Sequence, residues 1–156
     1  MIILLCLHLE IVLLFLILAF FIFGIIRKNK SNNFDLEVLN FALFIIITML
    51  YFSFSIYSEM GYSLIIECLD GDLYISKFII LIKMFILCIF GIFILVFYFV
   101  KDAGYPYFEL ILLTFISIFG SFILLMANNL MLIYVGIELQ SLILYVLPII
   151  PLASGN

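Results

Sequence analysis

Long, almost unbroken runs of apolar residues make up most of this chain, and the polar residues collect in short stretches between them. A helix needs about 20 apolar residues to cross a bilayer. The runs are continuous rather than alternating, which favours helices over the strands of a membrane barrel. We therefore predict an all-α polytopic membrane protein with about five transmembrane helices, at residues 2–26, 38–57, 78–100, 110–127 and 130–150.

The polar stretches between these spans are too short to form a separate soluble domain. They cover residues 27–37, 58–77 and 101–109, together with the pair Asn128-Asn129. Residues 1–107 therefore form one unit of three spans, and residues 108–156 form a second unit of two spans. The tail ends soon after the fifth span leaves the membrane, without a closing element.

Basic residues near span ends predict the orientation, because short loops rich in Lys and Arg stay on the cytoplasmic or matrix side. The first loop carries Arg27, Lys28 and Lys30. The second loop is mainly acidic, although acidic residues count little in this rule. We therefore expect the first loop to lie inside and the amino terminus outside.

Composition supports a lipid environment, since 69% of the residues are hydrophobic and 10% are charged. Too little polar surface remains to cover a water-soluble globule. The net charge of -4 predicts no nucleic-acid partner. Cys6, Cys68 and Cys88 have no metal-ligand spacing, and we interpret them as inert.

The first apolar run lacks the basic leader of a signal peptide, so we interpret it as a retained span. No Arg-rich amphipathic presequence for organelle import is evident either. The chain contains 19 Phe and many Ile but little Arg or Ala, as an AT-rich coding sequence would produce. If the protein is mitochondrial, we expect it to be encoded in the organelle.

Glu138 is the main candidate for chemistry, because it lies near the middle of the fifth predicted span, where an ionisable group is costly. Tyr134, Ser141 and Tyr145 share its helical stripe. Such a polar stripe belongs inside a helical bundle and could hold water. Glu138 is then either a proton carrier or a protonated carboxyl group that donates an interhelical hydrogen bond.

The fourth predicted span offers a polar face of its own. Thr114, Ser117 and Ser121 recur at spacings of three and four residues, and Gly120 beside them suits close helix contact. We expect a wet, narrow seam between the fourth and fifth spans, lined by these hydroxyl groups and the Glu138 stripe.

Three other ionisable residues fall within predicted spans. Lys83 lies early in the third span, and we expect its long side chain to snorkel to the interface. His8 and Glu10 lie near the start of the first span, and we interpret them as edge residues without an identified partner. No haem-ligating histidine pair, iron-sulfur cysteine cluster or dinucleotide-binding motif is evident, so the sequence predicts no cofactor in this chain.

Residues 109–147 resemble the fourth and fifth helices of NADH dehydrogenase subunit 2, an antiporter-like membrane subunit of respiratory complex I. The most specific part is LIYVGIELQSL at residues 132–142, followed by Tyr145-Val146-Leu147. Related antiporter-like subunits share the glutamate, here Glu138, whereas Gln140, Ser141 and Tyr145 favour subunit 2. The three preceding spans match that family in number and order alone.

The resemblance implies a non-redox subunit of proton-translocating NADH:ubiquinone reductase in the mitochondrial inner membrane, with the amino terminus facing the intermembrane space. In the family this glutamate pairs with a lysine on a later helix, and that helix is absent here. The resemblance thus implies an amino-terminal part of a split subunit, cut after the fifth helix of the antiporter-like core. A second polypeptide would carry the remaining helices and buried lysines.

The implied partners are that second polypeptide, other membrane-arm subunits and lipids. NADH, FMN, iron-sulfur clusters and ubiquinone would bind elsewhere in the complex. Two other functions stay open: a structural or assembly subunit without a transport role, and a subunit of a cation/proton antiporter.

Overall fold

The computed structural model describes residues 2–27, 34–59, 66–68, 71–100 and 107–146. Within these ranges the chain forms five helices and one small antiparallel hairpin. The helices are α1 (Ile2–Arg27), α2 (Phe34–Glu59), α3 (Lys77–Val100), α4 (Tyr107–Met126) and α5 (Leu130–Val146). The strands are β1 (Ile66–Cys68) and β2 (Leu73–Ile75).

The helices α1 to α4 contain segments that are long and apolar enough to cross a membrane. Their outward faces carry large apolar side chains, among them Phe15, Ile47, Phe85 and Phe99, which are 63–79% exposed. Such a surface is stable in lipid and not in water. The protein is therefore a multi-pass membrane protein, as the sequence predicts.

Each helix coincides with one predicted span. The helix α2 begins at Phe34, four residues before the predicted start, and its first turn holds Asp35 and Glu37. Acidic side chains in the first turn interact favourably with the helix dipole, which explains the extra turn. Within the described residues, the apolar stretch of α5 is shorter than those of the other four helices. The predicted end of the fifth span, at residues 147–150, lies outside the described residues.

The helices α1 to α4 pack as a ring in which α1 contacts α2, α2 contacts α3, α3 contacts α4 and α4 contacts α1. A continuous apolar core fills the ring. It includes Leu13 and Phe20 of α1, Ile45 of α2, Ile94 of α3 and Phe115 of α4, all fully buried. The helix α5 lies beside this ring and packs mainly against α4.

Small residues bring α4 and α5 close together. A Cβ atom at Gly120 would lie 2.8 Å from the Cβ atom of Leu139, and one at Gly136 would lie 3.1 Å from the Cβ atom of Leu124. Neither distance leaves comfortable room for a side chain. The two glycines therefore set the separation of the helices, as small residues often do in membranes.

An antiparallel hairpin closes the end of the bundle where α4 passes into α5. Its strands pair Ile66 with Ile75, and Gly71 in the turn has a φ of 91°, which favours glycine. The Asn128 backbone N–H donates to the Asp72 carbonyl at 2.8 Å, and the Asn128 side chain donates to the Gly71 carbonyl at 2.7 Å. The pattern of polar residues predicts only a connection here, so the hairpin is a feature that the sequence did not predict.

Candidate functional site

A buried ion pair joins two of the membrane helices. The helix α1 supplies Glu10 and α3 supplies Lys83, and their side chains are 8% and 3% exposed. The Lys83 ammonium donates a hydrogen bond to Oε1 of Glu10. It also lies 2.8 Å from the Met126 sulfur atom and 5.2 Å from the centre of the Phe122 ring. Opposite charges thus meet inside a largely apolar bundle.

The predictions for Lys83 and Glu10 were therefore wrong. Lys83 does not snorkel to the interface, and Glu10 is not an edge residue without a partner. At 1.5 Å per residue, Glu10 lies about 12 Å from the start of α1, and Lys83 lies about 9 Å from the start of α3. The two charges meet at similar depth, because the first and third spans begin on the same side of the membrane. His8 is exposed.

The second carboxylate oxygen of Glu10 is buried beside a cleft. Oε2 is accessible to less than 1 Å² of solvent, and within the described part of the chain no group donates a hydrogen bond to it. The cleft has a volume of about 260 Å³ and lies where α1, β2, α4 and α5 meet. Its other lining residues, such as Leu14, Leu73, Phe119 and Ile123, are all apolar.

Glu138 lies on the outward face of α5 and not between α5 and α4. Its side chain is exposed, and Tyr134 and Tyr145 on the same face are 64% and 69% exposed. Tyr134, one turn earlier, is close enough to interact with the Glu138 carboxylate. Ser141 donates its hydroxyl proton to the Glu138 backbone carbonyl at 2.9 Å. The predicted stripe therefore exists, but within this chain it faces away from the bundle.

The expected wet seam between α4 and the Glu138 stripe is not formed, because Gly120 and Gly136 bring a different face of α5 against α4. Gln140 is on that buried face. Its side-chain amide donates to the Ser121 hydroxyl at 2.8 Å. Gln140 belongs to the motif that resembles subunit 2, but its contact with α4 was not predicted from the sequence. The sequence feature that indicates this contact is the spacing of four residues between Gly136 and Gln140, which puts both on the same face of α5.

Two of the three predicted hydroxyl groups on α4, those of Thr114 and Ser121, donate to backbone carbonyls of their own helix. Thr114 is buried and donates to the Ile111 carbonyl at 2.7 Å, and Ser121 donates to the Ser117 carbonyl at 2.9 Å. Ser and Thr commonly form such bonds in apolar helices. Of the three, Ser121 alone has a hydrogen bond to α5 among the described contacts.

No protein-family model, curated protein or solved structure matches this chain. The resemblance to NADH dehydrogenase subunit 2 therefore stays a prediction from residues 109–147. No group of three or more possible metal ligands occurs among the described residues. Two features thus define the candidate site: the buried Lys83–Glu10 pair inside the bundle and the exposed Glu138 face outside it.

Proposed function

We propose that this chain is a membrane-arm subunit of proton-pumping NADH:ubiquinone oxidoreductase, in which Glu138 belongs to a proton path completed by another polypeptide. The exposed position of Glu138 carries this proposal, together with the subunit 2 motif around it. The proposal places the protein in the mitochondrial inner membrane, with its amino terminus facing the intermembrane space and the second polypeptide and other membrane-arm subunits as partners.

The cost of exposing Glu138 to lipid supports a partner chain. Glu138 lies about 12 Å along α5 from Leu130, so its short side chain does not reach the interface from there. An ionisable group at the bilayer centre costs about 2.5–3.5 kcal/mol on insertion scales, and such groups almost always face other protein or water. A neighbouring chain that covers Tyr134, Glu138 and Tyr145 would remove this cost.

A lysine on that neighbouring chain would make Glu138 a proton switch. A nearby ammonium group favours the charged carboxylate, and separation of the two groups in a water-poor site favours the protonated acid. Alternation between these states takes up a proton and then releases it. Tyr134, one turn earlier on the same helix face, is close enough for its hydroxyl group to donate a hydrogen bond to the Glu138 carboxylate.

A structural subunit is the second candidate function, and the Lys83–Glu10 pair favours it. In that pair, two charged side chains within the membrane-spanning helices form a buried ion pair inside one chain. Glu138 could form a similar static contact with a neighbouring chain. The two functions differ in whether the protonation of Glu138 changes during turnover.

The decisive experiment compares Glu138→Gln with the parent in the assembled complex, reconstituted into lipid vesicles. NADH oxidation and proton uptake are measured together, and complex assembly is followed on native gels. We expect Glu138→Gln to assemble normally and to lower the number of protons taken up per NADH. The matched control is Glu59→Gln, which makes the same chemical change at the exposed end of α2.

An unchanged proton yield in Glu138→Gln would refute the transport role and leave the structural function. Loss of assembly in this variant would also favour the structural function. In a structure of the complex, we expect a lysine ammonium of another polypeptide within direct or one-water reach of the Glu138 carboxylate. A Glu138 side chain that contacts just lipid or a backbone carbonyl would contradict the split-subunit proposal.

A further inference from the structure

The side chain of Lys83 turns into the bundle, although it is long enough to reach water. Lys83 lies about 9 Å from the start of α3, and from that depth a flexible lysine can lift its ammonium group to the membrane surface. The ammonium group instead contacts Glu10 on α1 and the Met126 sulfur atom. A barrier between Lys83 and the surface would explain this direction.

The hairpin lies where such a barrier is needed. Leu73 and Ile75 of β2 are 7% and 4% exposed, and they form a small apolar cluster with Ile80 and Met126. Met126 belongs to this cluster and also contacts the Lys83 ammonium group. The hairpin is thus separated from the ion pair by a single side chain, at the end of the bundle that it closes.

Polar contacts at the exposed turn between α4 and α5 fasten the hairpin. The Asn128 side chain donates to the Gly71 carbonyl at 2.7 Å, and the Asn129 side chain donates to Oδ1 of Asp72 at 3.3 Å. Both asparagines are exposed. Exposed hydrogen bonds open at a lower free-energy cost than those of a packed core. We therefore expect the hairpin to open more readily than the helices beneath it.

We propose that the hairpin is a lid that keeps water away from the Lys83–Glu10 pair, and that local opening of the hairpin exposes the pair. The attraction between opposite charges falls as the surrounding dielectric constant rises. The closed lid therefore keeps the attraction between α1 and α3 strong. The lid consists of the hairpin and its contacts with α3 and the end of α4, so it does not depend on the proposed role of Glu138.

Acetylation of lysine side chains from water tests the lid. The full chain in lipid vesicles is treated with the water-soluble reagent sulfosuccinimidyl acetate, and mass spectrometry gives the rate of acetylation at each lysine. Lys77 is partly exposed at the same end of α3 and is the internal reference. In the parent protein, we expect Lys83 to react at least about tenfold more slowly than Lys77, because Lys83 reacts from the open state alone.

Two variants loosen the lid to different degrees. Asn128→Ala removes one hydrogen bond of the closed hairpin, so the acetylation rate of Lys83 should rise about twofold to twelvefold. Leu73→Ala removes a buried side chain of the lid, so the same rate should rise about thirtyfold or more. The rate at Lys77 should stay the same in both variants.

The matched control destabilises the bundle far from the hairpin. Gly24 lies near the other end of α1, and a methyl group there would overlap the Phe108 ring. Gly24→Ala should therefore leave the acetylation rate of Lys83 unchanged. An increase as large as in the hairpin variants would mean that Lys83 reacts after global unfolding, and it would overturn the proposal. Equal rates at Lys83 and Lys77 in the parent protein, or hairpin variants without effect on Lys83, would overturn it as well.

Discussion

Replacement of Lys83 by Met tests the buried ion pair directly. Methionine has a similar length and is apolar, so it fills the space beside Phe122 and Met126 without a charge. The substitution removes the hydrogen bond to Oε1 and leaves the Glu10 carboxylate buried with neither oxygen paired to a described donor. We therefore expect Lys83→Met to destabilise the folded bundle strongly.

The magnitude follows from the burial of the two side chains, which are 3% and 8% exposed. Removal of one partner of a buried pair costs about 3–5 kcal/mol, because the other charge stays in an apolar site. Replacement of both partners by apolar side chains is about neutral or even stabilising. The double variant Glu10→Met/Lys83→Met should therefore recover most of the stability that Lys83→Met loses.

The assay is a reversible unfolding titration in detergent micelles, followed by the loss of helical circular dichroism. A loss of about 4 kcal/mol corresponds to a roughly thousandfold change in the unfolding equilibrium. Lys77→Met is the matched control on the same helix. The Lys77 ammonium lies 5.1 Å from the centre of the Tyr57 ring, at a partly exposed site where such a contact contributes about 0.5–1 kcal/mol.

Two results would refute this reasoning. One is a loss of stability in Lys83→Met that is no larger than in Lys77→Met, as a snorkelling lysine would give. The other is a double variant as unstable as Lys83→Met alone, which would assign the loss to packing and not to the unpaired carboxylate.

Two further predictions concern helix packing and the hairpin. A methyl group at Gly120 would lie 2.8 Å from a side chain of α5, so Gly120→Ala should cost about 1–3 kcal/mol in the same titration. Gly91→Ala, whose methyl group would lie 3.6 Å from its nearest neighbour, should be neutral or stabilising by up to about 1 kcal/mol. Asn128→Ala should loosen the hairpin at a cost of about 0.5–1.5 kcal/mol and speed amide exchange in β2. Ser58→Ala, which removes an exposed bond within α2, should leave that exchange unchanged.

The helices could be predicted from the sequence because a span in lipid has few alternatives to a helix. The hairpin could not be predicted by the same means. Its strands are three residues each, too short to show an alternating pattern. Its backbone contacts with Asp72 and Gly71 come from Asn128, which is distant in the sequence. The conformation of the hairpin thus depends on contacts that form when the helices have packed.

The candidate site could be predicted in part. The periodicity of α5 placed Tyr134, Glu138 and Tyr145 on one face, but it did not determine which face meets α4. That choice depends on Gly136, because the closest approach of two helices occurs where side chains are smallest. The pairing of Lys83 with Glu10 depends in the same way on tertiary packing. The residue pattern within a single helix carries no information about which helix will pack against it.

The separation of Glu10 and Lys83 along the chain also bears on biogenesis. The two residues are 73 positions apart, so α1 is synthesised long before its counter-charge exists. At roughly 5–20 residues per second, that delay is about 4–15 s. A carboxyl group costs α1 about 2.5–3.5 kcal/mol on insertion at the bilayer centre, which its Leu, Ile and Phe residues offset at about 0.3–0.6 kcal/mol each. The first helix can therefore enter the membrane alone, but its final docking has to wait for the third.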